Sequence, residues 1–144
     1  MGIMESKNTT VLVLENHPLM RESLCAAIAA ESDMKVVESS PEDANAFQLR
    51  LSSRYDVLFL ACKPDVILLA LGNPGLDDLR ALIDLRTKLD DTPILALVTD
   101  EVPGQEQAAL HYGAQAVLSK SVSREGLLEA LRAIKSSSQF ALQH

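Results

Sequence analysis

Two hydrophobic periods alternate along the chain. Thr10–Leu14, Lys35–Ser39, Asp65–Ala70, Pro93–Val98 and Ala116–Leu118 are short apolar runs rich in Val, Ile and Leu, and they read as strands. Between them apolar residues recur every three or four positions, the period of a helix with one buried stripe. Met20, Leu24, Ala27 and Ile28 mark a helix from Pro18 to about Glu31, with Asn16 or His17 as its cap. Leu79, Leu82, Ile83 and Leu89 mark the inward side of a helix over Leu76–Leu89. A short helix over Pro103–Tyr112 stops at Gly113, and Ser123 caps a last helix that buries Leu127, Leu128, Leu131 and Ile134. From Pro41 to about Ala61 the pattern fits a long helix, although Tyr55–Leu60 also fits a strand and periodicity does not separate the two.

Strands that are apolar without alternation are buried on both faces, as parallel strands are. Five strand–helix repeats therefore predict an α/β fold, a doubly wound five-stranded parallel sheet with five helices on its two sides. In such sheets the functional crevice lies at the carboxyl ends of the strands. That rule selects Glu15, Asn16, Ala70, Val98, Thr99 and Lys120. Gly72-Asn-Pro-Gly75 after the third strand reads as a turn with one backbone angle that favours glycine.

Composition narrows the function. The 144 residues suffice for one domain, and 47% hydrophobic residues exclude a disordered chain. Only 3% are aromatic, so the core is aliphatic. A formal net charge of -7 argues against direct nucleic-acid binding. Cys25 and Cys62 have neither disulfide-framework nor metal-ligand spacing and read as small buried hydrophobes. The polar Met1–Thr10 stretch does not read as a signal peptide, and no apolar run reaches membrane-span length, so the expectation is a cytoplasmic domain without membrane contact. No G-x-G-x-x-G follows the first strand, and no P-loop or G-x-S-x-G occurs, which disfavours nucleotide and esterase chemistry.

Three stretches carry a family resemblance. Val11-Leu-Val-Leu-Glu-Asn-His-Pro-Leu-Met-Arg-Glu22 resembles the first strand and helix start of response-regulator receiver domains, especially those attached to LuxR- or NarL-type DNA-binding modules. Pro64–Leu79 is similar to the phosphorylation strand and its Pro-Gly turn, and Gly113–Lys120 to the fifth strand with its lysine. The resemblance spans about Thr10 to Lys135, with a 40–63 segment longer than usual. It implies a CheY-like, flavodoxin-like sheet in the order 2-1-3-4-5. It also implies a site in which two acidic residues after the first strand and one carboxylate ending the third hold a divalent cation through oxygen ligands. The third-strand carboxylate accepts the phosphoryl group, a lysine offsets its charge, and a hydroxyl ending the fourth strand draws a loop inward.

This sequence departs from that pattern. The acidic pair is Glu15-Asn16, the acceptor position is Ala70, the hydroxyl position is Val98 with Thr99 adjacent, and the switch position on the fifth strand is Val117. Only Lys120 remains, and Ser121 stands where a proline often follows it, which puts the usual cis peptide there in doubt. A single laboratory substitution would account for Ala70 but not for Asn16, Val98 and Val117 together, so the change reads as natural.

The expectation is a regulatory interaction module rather than an enzyme, with no catalytic residue, no metal and no cofactor. Either a LuxR-type output module lies outside this stretch or the domain is a stand-alone adaptor. The alternative is a small-molecule-sensing pseudo-receiver with Lys120 at the base of an Ala- and Val-lined notch. The resemblance implies partner contacts, including homodimers, through the fourth helix, fifth strand and fifth helix, or through the first and fifth helices. Glu106, Tyr112, Arg124 and Arg132 mark the former face. Boundaries are set at 1–9 for a flexible start, 10–136 for the domain and 137–144 for a linker or tail. Glu15 and Lys120 are placed to form an ion pair across the crevice, and the Asp77-Asp78 and Asp90-Asp91 pairs read as solvated or helix-start carboxylates rather than metal sites.

Overall fold

A computed structural model of the chain describes residues 9–38, 63–89 and 91–142. Strands β1 (Thr9–Leu14), β2 (Met34–Glu38), β3 (Val66–Ala70), β4 (Ile94–Val98) and β5 (Ala116–Ser119) form one sheet in the order β2-β1-β3-β4-β5. Every neighbouring pair is parallel. Four helices are described: α1 (Pro18–Ala29), α2 (Leu76–Lys88), α3 (Gln105–His111) and α4 (Arg124–Leu142). The helix expected over 41–61, with its strand alternative at 55–60, lies outside the described residues, as do Cys62 and Asp90. The helices expected to be fourth and fifth are therefore α3 and α4.

Strand alternation divides the core into two layers. Leu12, Leu14, Ile67, Leu69, Ile94, Ala96 and Val98 face one side, where Ala81, Leu82 and Leu85 of α2 and Ala109 of α3 pack. Val11, Val13, Val66, Leu68, Ala70, Leu95 and Leu97 face the other, against Cys25 and Ile28 of α1 and Leu127, Leu128, Leu131 and Ile134 of α4. Each fully buried Leu or Ile stabilises the fold by about 1.5–3 kcal/mol. A one-residue slip of β3 would move each of its side chains to the opposite layer.

Two assignments from the apolar stripe are corrected. Ile83 is 40% exposed, and Leu85 is fully buried in its place. Ala81, Leu82 and Leu85 share one side of α2, while Ile83 lies a further 100° of helix away, in solvent. Met20 is likewise exposed, and its neighbour Arg21 is buried, with its guanidinium Nη1 donating to the Glu15 carbonyl at 3.0 Å.

His17 occupies the N-cap of α1 without a side-chain cap bond, and Pro18 opens the helix as expected. Ser123 caps α4, its hydroxyl accepting from the Gly126 N–H at 3.0 Å. That helix continues through Ser136–Ser138 to Leu142, where the sequence placed a linker or tail from 137. Helical backbone is compatible with either role. Gly75 has φ 78 immediately before α2, the left-handed angle expected within that turn. The cis bond found is Asn73–Pro74; none is present at Lys120–Ser121.

Candidate functional site

Parallel register brings the carboxyl ends of β1, β3 and β5 together around a cleft of about 750 Å³ lined by Glu15, Asn16, Ala70, Gly72, Asp78 and Lys120, among others. Four of these are residues that the strand-end rule selected. Backbone bonds set the frame: the Leu71 N–H donates to the Leu97 carbonyl at 2.9 Å and the Lys120 N–H to the Val98 carbonyl at 2.8 Å.

Ala70 closes β3 and is 4% exposed. It presents a methyl group to the cleft where the resemblance puts a carboxylate. Glu15 is 7% exposed; its Oε2 accepts from the His17 N–H at 2.8 Å, while its Oε1 and the Asn16 Oδ1 are buried without a hydrogen-bond partner among the described residues. The expected Glu15–Lys120 ion pair is not formed: the pairs among the described residues join Arg124, Arg132 and Lys135 to Glu31, Asp33 and Asp65. Burial of the Glu15 side chain, with Oε2 turned back onto the His17 N–H, accounts for this.

Val98 is buried in the α2–α3 layer and Thr99 is outside the cleft lining. The Thr99 hydroxyl accepts from the Glu101 N–H at 3.2 Å, inside its own loop. The Thr99 hydroxyl is thus engaged within its own loop. Val117 is half-buried and packs against the same layer as Val98.

The marked interaction residues separate into two groups. Glu106 and Tyr112 lie exposed on and just after α3, where the His111 and Tyr112 rings meet edge to face at 4.9 Å. Arg124 and Arg132 turn instead to the loop after α1, with Arg132 Nη2 at 2.9 Å from Glu31 and 2.8 Å from Asp33. The guanidinium holds the Asp33 carboxyl below its ordinary range.

Sequence reasoning missed two residues. Asp78 does sit in the first turn of α2, as its helix-start reading required, but its Oδ2 also accepts from the Gly72 N–H at 2.7 Å and its carboxylate lines the cleft. Burial pushes the Asp78 carboxyl up; the Gly72 N–H and the Lys120 charge oppose that shift, and Asp77 adds to it. Gln105, 2% exposed, joins the loops after β3 and β4. Its position between Gly104 and a helix was the only sequence signal, and Gln107 two residues on looks the same.

The divalent cation that the resemblance implies does not fit these donors. Ala70 offers no side-chain oxygen and Asn16 a neutral amide, which leaves Glu15 as the one carboxylate at the three expected positions. No group of three or more His, Cys, Asp or Glu side chains converges to hold a metal among the described residues. Mg²⁺ sheds water reluctantly and needs an oxygen set closer to octahedral than this.

Comparison with known proteins accords with the architecture. The family described as response regulator receiver domain matches residues 11–132. The nitrate/nitrite response regulator NarP of Escherichia coli is 31% identical over 123 residues, covering 85% of this chain and 53% of that protein. The Escherichia coli NarL protein is 30% identical over 122 residues, covering 85% and 52%. The chain thus spans about half the length of the curated relatives it matches. The signal receiver domain of a NarL response regulator from Mycobacterium tuberculosis superposes with a TM-score of 0.71 at 26% identity, covering 90% of this chain and 98% of that one. With this sheet order and a match over most of its length, the chain belongs to the response regulator receiver domain family.

Proposed function

We propose that this receiver domain works without phosphorylation, as an interaction module that controls an output unit through protein contacts. Ala70 carries the reading. A methyl group at the end of the third strand cannot attack phosphorus or ligate a cation. Loss of a cleft charge at Asn16 and the absence of a hydroxyl ending β4 support it. The NarP and NarL relatives are response regulators by name, and a LuxR-type DNA-binding module is the output we propose. The face formed by α3, β5 and α4, or that of α1 and α4, is the proposed route to it or to a second copy. No helix of the described residues is long and apolar enough to cross a membrane, and a cytoplasmic setting is part of the proposal.

The test is intact-mass analysis after incubation with acetyl phosphate and Mg²⁺. No phosphoryl adduct is expected. An adduct mapped to any aspartate of the cleft would overturn the reading.

A further inference from the structure

Gln105 is the first residue of α3, directly after Gly104 in a left-handed conformation. Its carboxamide is buried, and all of its polar atoms are used between two loops. Oε1 accepts from the Thr99 N–H at 2.8 Å, where the chain leaves β4. Nε2 donates to the Gly72 carbonyl at 2.8 Å and to the Pro74 carbonyl at 3.3 Å, in the loop that leaves β3. These partners fix the orientation of the amide, because carbonyls need the nitrogen and the Thr99 N–H needs the oxygen. The loop is crowded at Gly75. A Cβ on Gly75 would stand 2.8 Å from Gln105 Nε2 and 2.6 Å from the Gly72 oxygen. The other side of Gly72 is occupied as well, its N–H donating to Asp78. One residue of the cleft wall is thus tied to α2 through its nitrogen and to α3 through its oxygen.

We propose that Gln105 is a built-in strut that couples the cleft wall at Gly72 to the start of α3 and the end of β4. A displacement of the β3–α2 loop then moves α3 directly, with no phosphoryl group required. The regulatory meaning of the strut rests on the phosphorylation-independent reading above; its mechanics do not. A partner that presses on Gly72 or Asp78 would be reported at the exposed side of α3, where Leu110 and Tyr112 face solvent. Glutamate could not replace the residue, since a carboxylate would face two carbonyl oxygens with no proton to give.

The test is amide exchange and chemical-shift mapping by NMR on the full chain. In the unmodified protein the Gln105 carboxamide protons are expected to exchange at least about tenfold more slowly than those of exposed Gln107. Asp78→Asn is expected to shift the amides of Glu106 to His111, and Gln105→Leu to reduce those shifts by more than half. Equal carboxamide exchange at the two glutamines would overturn the strut, as would undiminished shifts in the Gln105→Leu background. Should Gln105→Leu not fold, the uncharged and more flexible Gln105→Met takes its place, and the carboxamide measurement needs no variant. Phosphoryl uptake by the wild type would sink the proposed function and leave the carboxamide protection in place, so the two failures are distinguishable.

Discussion

Gly75→Ala and Gly104→Ala make a matched pair. Both glycines precede a helix in the left-handed region, at φ 78 and φ 80. A Cβ costs about 1–2 kcal/mol at such an angle, while the stiffer unfolded chain returns about 0.4–1 kcal/mol. For Gly104 that is the whole effect, because an added Cβ meets nothing within 4 Å. A net loss of about 0–1.5 kcal/mol follows. For Gly75 the Cβ would stand 2.6 Å from the Gly72 carbonyl oxygen and 2.8 Å from Gln105 Nε2, so the loop or the strut must move. Losing the two hydrogen bonds from that nitrogen adds about 0.5–1.5 kcal/mol each. Gly75→Ala should therefore cost about 1–4.5 kcal/mol in total, a large share of the stability of an ordinary domain. Paired urea titrations measure the difference. With a slope of about 1–3 kcal/mol per molar, that excess of about 1–3 kcal/mol should make the Gly75 variant unfold roughly 0.3–3 M earlier than the Gly104 variant. Equal midpoints would refute the packing argument, since backbone strain is common to both variants and only the crowding differs.

Asp78→Asn should change stability in a pH-dependent way. Burial raises the folded-state pKa of this carboxyl above its ordinary value of 3.8, so the stability contributed by its protonated form is complete below that value and lost as pH rises through the folded one. The variant should therefore gain on the wild type between pH 4 and pH 7 in urea titrations; a stability difference that is flat with pH would contradict the burial assigned to Asp78. Arg132→Leu breaks ion pairs whose side chains are 41% exposed on the arginine and 28% and 48% on Glu31 and Asp33, and solvent screening limits the loss to about 1 kcal/mol. Because Asp33 is held below its ordinary pKa, its contribution is present at neutral pH and disappears as pH falls through the folded value. An Arg132→Leu loss that is as large at pH 2.5 as at pH 7 would show that packing, not charge, holds α4 to that loop.

The fold was largely legible because both hydrophobic periods are strong. All five strands lie within a residue or so of their expected ends, since an unbroken β-branched run bounded by polar residues has few other uses. Helix faces were less secure. Ile83 and Met20 each sit 100° from a buried neighbour, and a stripe drawn from a few apolar residues does not resolve one position. Arg21 illustrates the converse: a charged residue is buried because a carbonyl, not a side chain, accepts from it, and sequence does not display carbonyls. The cleft residues Glu15, Asn16, Ala70 and Lys120 were legible through topology alone, as the ends of parallel strands. Asp78 and Gln105 were not. Asp78 differs from Asp77, and Gln105 from Gln107, only in helical phase, and the Gly72 carbonyl that holds Gln105 lies 33 residues away in sequence.

Backbone and core, rather than the side chains at the strand ends, build the cleft. Bonds such as Lys120 N–H to Val98 and Leu71 N–H to Leu97 involve no side chain at 16, 70 or 98, so substitution there leaves the frame standing. Under the proposed function, what substitution removes is a source of free energy for switching. A phosphoryl group brings about two negative charges and strong acceptor oxygens to one point. Contact-driven control must obtain the same bias from differential binding. Reversing a 1:99 equilibrium to 99:1 needs about 5.5 kcal/mol of preference for one state. A surface ion pair supplies about 0–1 kcal/mol of that, so a few charges on α3 or α4 are too weak to throw such a switch. Under the proposed function, the partner must therefore bury apolar surface that one state exposes and the other does not. Alternatively, the domain holds a single state and regulates by whether the partner is present. The Gln105 contacts fit the first arrangement, because they let the β3–α2 loop and the start of α3 shift together without breaking.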